Sequence, residues 1–268
     1  MNKNISVILT LYKTPIDKIY NLNHYKKFPL IIFEQQGSLD SKKKIRKKLK
    51  RNFKYFFSEK NIGLSKASNF LLKKIKSKYF LFTQPDIVIN EKSIYRLEKV
   101  FKKDNNIIFV TPNISSNNIY SKKKMIYTKK INASCMLCDL KKVKKIGFFD
   151  EDYFLYWEDI DLMKKINNSK FKMVIAKNIF AKHLSSQSSE NSLKTQTIRR
   201  SNFIYGELVF DHKQKKLRII KIFRKILQNI ILFFFNLIKF QLNKSFINLS
   251  IIYGVLKFIF YYLTIKLL

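Results

Sequence analysis

The sequence predicts an α/β fold: a parallel sheet with helices on both faces, followed by a separate element of basic, amphipathic and hydrophobic helices. Three observations lead there. Short β-branched apolar runs alternate with stretches of helical period through the first half of the chain. The chain has 268 residues, of which 46% are hydrophobic and 15% aromatic, enough to bury a large core and too apolar for a disordered chain. From about Leu217 onward the composition changes to dense Ile, Leu, Phe and Tyr. The expected boundaries are 1–210 for the α/β domain and 217–268 for the C-terminal helical segment.

In chain order, residues 5–11, 30–33, 79–82 and 107–110 are the apolar runs expected as strands. Residues 64–75 and 93–101 carry the helical period, the second opened by Asn90 as N-cap. Residues 42–51 hold eight positive charges with Ile45 and Leu49 four apart, which reads as a solvated basic helix with one narrow apolar stripe. Open sheets of this kind bind ligands beyond the carboxyl ends of their strands. The residues to read for chemistry are therefore 10–14, 34–38 and 83–86.

Two runs, 222–240 and 246–268, form the last element. The second is long enough to cross a bilayer core, but Lys257 stands in its middle and Asn248 and Ser250 near its start. A charge at the bilayer centre costs roughly 3 kcal/mol on insertion scales. The favoured reading is a pair of helices lying in the membrane interface with lysines reaching headgroups; a spanning helix and a buried helical cap are the alternatives.

Composition excludes several classes. Five Gly and four Pro rule out collagen-like and low-complexity chains, and two Cys rule out a disulfide framework and suggest a reducing compartment. No secretory signal is expected in the first ten residues. The net charge of +36 attracts polyanions, although an A/T-biased coding sequence would also over-use Lys, Asn, Ile and Phe together. Only seven of the 54 basic residues are Arg, the side chain suited to bidentate readout, so the charge suggests diffuse electrostatics and no specific nucleic-acid partner.

Against that background six of the 18 acids fall within residues 150–161: Asp150, Glu151, Asp152, Glu158, Asp159 and Asp161. The last three would suit the positive end of a helix running to about Asn167. The helix dipole leaves unexplained the interleaved Phe148, Phe149, Tyr153, Phe154, Tyr156 and Trp157. An aromatic wall desolvates a carboxylate and raises its proton affinity, which is useful in a general base. Asp86 stands alone at a strand end after Pro85, where either a turn or a divalent cation would account for it. Cys135 and Cys138 have CxxC spacing but no second pair for zinc.

Taken in order, the segments SVILTLYKT, IIFEQQGS, NIGLSKASN, TQPDIVI, ASCMLCDLKKVKKIGFFDEDYFLYWEDIDL and AKHLSSQSS resemble the family 2 glycosyltransferases, inverting enzymes of GT-A fold, and within them the rhamnosyltransferase-like branch. The resemblance covers about residues 5–205, and its thirty-residue fifth segment is the most specific. It implies donor contacts at Thr10, Tyr12, Glu34 (or Gln35), Asn61, Gly63, Asn69 and Asp86, with Lys13 where the family has Asn. It implies a Mg²⁺ or Mn²⁺ site at Asp86, with His183 completing the metal shell or touching the diphosphate, Asp159 as general base with Glu158 beside it, and an acceptor site at Asp150, Glu151 and Trp157. It places both cysteines on a buried strand.

The implied function is transfer of a sugar from a nucleotide-diphosphate donor, dTDP-rhamnose-like or UDP-linked, to a glycan or lipid-linked oligosaccharide in cell-surface polysaccharide synthesis. The expected location is the cytoplasmic side of the plasma membrane, peripheral or monotopic, on an anionic surface. The alternatives are an inactive membrane-surface scaffold of the same fold and a Lys-rich nucleic-acid binder. Arg199 and Arg200 are candidates for diphosphate or acceptor contacts.

Overall fold

The apolar runs of the first half are continuous, not alternating, which is the pattern of strands buried on both faces. A computed structural model of the protein describes residues 4–114, 124–184 and 190–265. Its strands are β1 (Ile5–Tyr12), β2 (Leu30–Gln35), β3 (Lys54–Ser58), β4 (Tyr79–Thr83), β5 (Ile87–Val88), β6 (Ile107–Ile114), β7 (Ile126–Thr128), β8 (Cys135–Asp139) and β9 (Lys172–His183). Its α-helices are α1 (Leu39–Leu49), α2 (Leu64–Leu72), α3 (Glu91–Val100), α4 (Leu140–Ile146), α5 (Glu158–Asn167), α6 (Leu193–Lys213), α7 (Ile219–Ile238) and α8 (Leu242–Lys257).

Successive residues of each central strand go to opposite faces. Val7, Leu9 and Leu11 of β1 and Leu30 and Ile32 of β2 enter one core with Ile45 and Leu49 of α1 and Ile94 and Leu97 of α3. Ile8, Ile31 and Phe33 enter the other, with Ala67 and Leu71 of α2, Val143 of α4 and Leu162 and Ile166 of α5. Each buried Leu or Ile contributes about 1.5–3 kcal/mol relative to an exposed one. The narrow stripe of the basic helix is therefore its docking edge, since Ile45 and Leu49 are both buried. Asn90 caps α3 as expected, its Oδ1 accepting from the Ser93 N–H at 2.8 Å.

The strand order is β3-β2-β1-β4-β8-β6-β9-β5, with β7 pairing β9. The β3-β2-β1-β4 half is parallel, and β8 enters antiparallel to both β4 and β6. This mixed, mainly parallel sheet with helices on both faces is the architecture that the motif resemblance implies. Strands β3, β5, β7 and β9 lie outside the apolar runs expected as strands. β3 and β7 are short and half exposed, and β9 alternates buried with exposed positions in a segment rich in Lys and Asn.

The chain divides into two compact units: Met1–Phe149 with Leu162–Glu190, and Asp150–Asp161 with Asn191–Leu268. The expected division after residue 210 differs from this one, because α6 and the acidic segment share a core with the last helices. That core is Tyr153, Ile204, Tyr205, Leu208, Val209, Val255, Phe258 and Tyr262. α6 and α8 cross so closely that a Cβ on Gly254 would lie 2.3 Å from the Ser201 carbonyl oxygen.

The helix Leu242–Thr264 is long and apolar enough to cross a membrane, and a third of its apolar window is buried in the protein. Lys257 does not reach outward. Its Nζ lies 4.5 Å from the centre of the Tyr205 ring and donates to Asn202 Oδ1 at 3.2 Å. α7 is different: Ile220, Phe223, Leu227, Ile231, Phe234 and Ile238, spaced three or four apart, are exposed from 48% at Leu227 to 77% at Ile238. Its Lys221 and Lys225 pair with Glu207 of α6 at 2.6 and 2.9 Å.

Candidate active site

In the first unit the predicted donor residues lie at the carboxyl ends of the parallel strands. Thr10 and Tyr12 close β1, and Lys13 follows with φ 46°, in the left-handed region. Asn adopts that region at lower cost than Lys. At the end of β2 the Glu34 carboxylate accepts from the Tyr55 hydroxyl of β3, which the sequence reading missed. Burial raises the Glu34 carboxyl above its ordinary value, and the hydrogen bonds from Tyr55 and Ser41 oppose this. Gly37 is required here by space, because a Cβ would lie 2.8 Å from the Tyr55 hydroxyl and 2.9 Å from Glu34 Cβ.

Asn61 and Gly63 come together at the start of α2: Asn61 Oδ1 accepts from the Gly63 N–H at 3.0 Å, and Gly63 has φ 87°. Asn69, one turn into α2, donates from Nδ2 to the Phe149 carbonyl at 2.8 Å, which ties the helix to the turn after α4.

Asp86 and His183 are far apart in sequence and adjacent in space. The cause is a short antiparallel pairing in which Ile87 of β5 faces His183 at the end of β9 and the Leu184 N–H donates to the Asp86 carbonyl at 2.9 Å. His183 Nε2 lies 3.3 Å from Asp86 Oδ2. Asp86 is only 1% exposed, and its Oδ1 has no hydrogen-bond partner. A buried carboxylate oxygen without a partner is costly unless something is bound there. These two residues fit a divalent cation that keeps its remaining positions for water and phosphate oxygens. Among the described residues no cluster of three or more His, Cys, Asp or Glu forms a ligand set, so this pair is what those residues offer. The tail of the AKHLSSQSS segment, 185–189, lies outside the described residues.

In the second unit the acids of 150–161 divide into two groups. Asp150 and Asp152 share Lys213 of α6 at 2.6 and 2.8 Å, and Asp150 Oδ1 also accepts from the Asp152 N–H. Asp150 is thus engaged in holding a turn, whereas Glu151 is exposed. Tyr156 and Trp157 then have φ 69° and 72°, consecutive aromatic residues in the left-handed region. Such residues cost about 1–3 kcal/mol each and persist only where packing imposes them. Here α6 imposes them. Phe203 lies 5.8 Å from the Tyr156 ring and 5.7 Å from Trp157, Phe210 lies 5.3 Å from Trp157, and Gly206 leaves room for the Tyr156 carbonyl and the Trp157 ring.

That double turn delivers the second group to the start of α5. Glu158 is 6% exposed, and its Oε2 has no hydrogen-bond partner. Burial first and the Asp159 charge second push its carboxyl up to about 8. Asp159 is half-buried; burial raises its carboxyl too, and a hydrogen bond from the Ile160 N–H at 2.9 Å opposes this. Asp161 accepts from the buried Tyr153 hydroxyl. Glu158 is buried and Asp159 half-buried, so burial acts unequally on the two carboxyls, the kind of difference from which paired carboxyls take separate roles.

Both cysteines lie on β8 and are fully buried, and burial pushes the Cys135 thiol up to about 12. Such thiols are unreactive.

None of the curated proteins matches this sequence. Among solved structures, the chain is similar in fold to S. aureus TarS, with 14% identity and a TM-score of 0.51, over 80% of this chain and 43% of that one. It therefore spans less than half of TarS. It is also similar to the mannosyltransferase PcManGT from Pyrobaculum calidifontis, whose structure contains GDP-Man and Mn²⁺, with 10% identity and a TM-score of 0.59, over 97% of this chain and 88% of that one. Residues 16–162, more than half of the chain, match glycosyl transferase family 2. The chain belongs to that family.

Proposed function

We propose that this protein is an inverting glycosyltransferase in which Asp159 removes the proton from an acceptor hydroxyl. The observation that carries this reading is the carboxyl pair at the start of α5, held by two strained aromatic residues, with burial raising both carboxyls and pushing Glu158 up to about 8. As the proton moves to Asp159, the acceptor oxygen bonds to the anomeric carbon and the bond from that carbon to the diphosphate breaks. Attack from the opposite face inverts the centre. A positioned base of this kind contributes about 10²- to 10⁴-fold. A Mg²⁺ or Mn²⁺ ion at Asp86 and His183 would neutralise charge on the diphosphate. The carbonyl ends of β1 and β2, with Glu34 anchored by Tyr55, would hold the nucleoside.

A dTDP-rhamnose-like or UDP-linked donor, and a glycan or lipid-linked oligosaccharide acceptor, are supported by the motif resemblance. We place the protein on the cytoplasmic face of the plasma membrane; the exposed apolar stripe of α7 in a chain of net charge +36 supports the membrane contact. The test of the base is Asp159→Asn assayed with UDP- and dTDP-sugars. Transfer should fall at least a hundredfold while nucleotide binding by calorimetry is retained, and full transfer by the variant would overturn the assignment.

A further inference from the structure

The second unit contains a cleft of about 480 Å³ at Arg199 and Arg200, the two arginines that the sequence offers for diphosphate or acceptor contacts. It is lined by Gln196, Arg199, Arg200 and Phe203 of α6, with Tyr156 and Asn191 beside them. Positions 196, 199, 200 and 203 follow the i, i+3, i+4, i+7 spacing, so one stripe of α6 presents an amide, two guanidinium groups and an aromatic ring to the same space. Among the described residues no carboxylate lines it. Only seven Arg occur in the chain against a large excess of Lys, and two of them meet here. The guanidinium fork matches phosphate oxygens bidentately, which an ammonium does not. Tyr156 and Phe203, with ring centres 5.8 Å apart, provide apolar surface at the same cleft. The volume is that of a small-ligand site.

We propose that this cleft binds the phosphate or diphosphate group of the acceptor, so that the acceptor is an anionic, phosphate-linked saccharide and not a neutral glycan. The proposal rests on the reading of Asp159 as the base. Tyr156 connects the two, since it lines the cleft and stands two residues before Glu158. Its phenol is raised by burial, lowered by Arg199, raised by Glu158 and lowered by Arg200, so the cleft and the carboxyl pair share one electrostatic neighbourhood. Two guanidiniums hold the phosphate, and the saccharide beyond it extends toward the carboxyl pair.

The chain contains a single tryptophan, and Trp157 lies 5.7 Å from Phe203 of the cleft, so its emission reports occupancy. Full-length protein is titrated with inorganic pyrophosphate and with farnesyl diphosphate by Trp157 emission, and with UDP and Mg²⁺ by calorimetry. Both diphosphate probes should saturate, and Arg199→Gln and Arg200→Gln should each weaken them at least tenfold while UDP binding changes less than twofold. Tighter binding of farnesyl diphosphate than of pyrophosphate would identify a lipid-linked diphosphate as the source. Equal binding would identify a phosphate carried on a soluble saccharide. Failure of either probe to saturate the wild-type protein, or unchanged affinity in both Arg variants, overturns the proposal. Equal loss of UDP binding overturns it too, by assigning the guanidiniums to the donor. If Asp159→Asn retains transfer while the Arg variants lose pyrophosphate, the base assignment fails and the anion cleft stands.

Discussion

Glu158 makes a quantitative link between burial and pH. Its carboxyl ordinarily titrates at 4.5 and is pushed up to about 8 in the folded protein. Between those values the folded state keeps a proton that the unfolded state has released, so stability falls as pH rises across that window. At about 1.4 kcal/mol per pH unit the full window corresponds to about 5 kcal/mol. Because the side chain is 6% exposed, solvent screening removes little of this. Glu158→Gln is neutral at every pH and should abolish this contribution, leaving that of the other raised carboxyls. The two proteins are compared by urea denaturation from pH 4 to 9.5. They should be nearly equal at pH 4, with the variant ahead by several kcal/mol at pH 9. A difference that stays flat across the range would refute the claim that Glu158 is held protonated by burial.

Three further outcomes follow from the packing and the polar geometry. Gly254→Ala places a methyl 2.3 Å from the Ser201 carbonyl oxygen and should destabilise by about 3 kcal/mol, read as a lower urea midpoint. An unchanged midpoint would mean that α6 and α8 do not cross this closely. Mn²⁺ at a hundredfold excess over its Kd should stabilise the wild-type protein by about 2.7 kcal/mol. Asp86→Ala should lose that gain, whereas an equal gain in the variant would place the ion elsewhere. The triple variant Ile220→Asp, Ile231→Asp and Phe234→Asp should no longer sediment with anionic vesicles, with its thermal midpoint unchanged, because these side chains are exposed. Undiminished sedimentation would move the contact to another surface. Point substitutions are preferable to removal of 217–268, because Val255 and Phe258 are fully buried in the core that holds α6.

Much of the site could be read before the structure because its signals are local. Continuous β-branched runs mark strands buried on both faces, Asn90 marks a helix start, and the acid-rich aromatic window marks the beginning of α5. The rest was not readable because it depends on partners remote in the chain. Tyr55 is the partner of Glu34 only because β3 pairs with β2, and nothing around Lys213 announces that it holds both Asp150 and Asp152. Lys257 reads as a membrane-interface lysine until Asn202 and Tyr205 are seen against it.

By itself, then, the sequence determined the central strands of the sheet and the helices beside them, that helices cover both sheet faces, and which carboxyls stand among aromatic side chains. Those properties follow from residue spacing and from propensities that act within a few residues. Only the tertiary structure decided that β8 enters antiparallel, that β5 and β9 bring His183 to Asp86, and that α6 forces Tyr156 and Trp157 into left-handed turns. Strand register and side-chain packing join residues distant in the chain, and their free energy appears only when those residues meet.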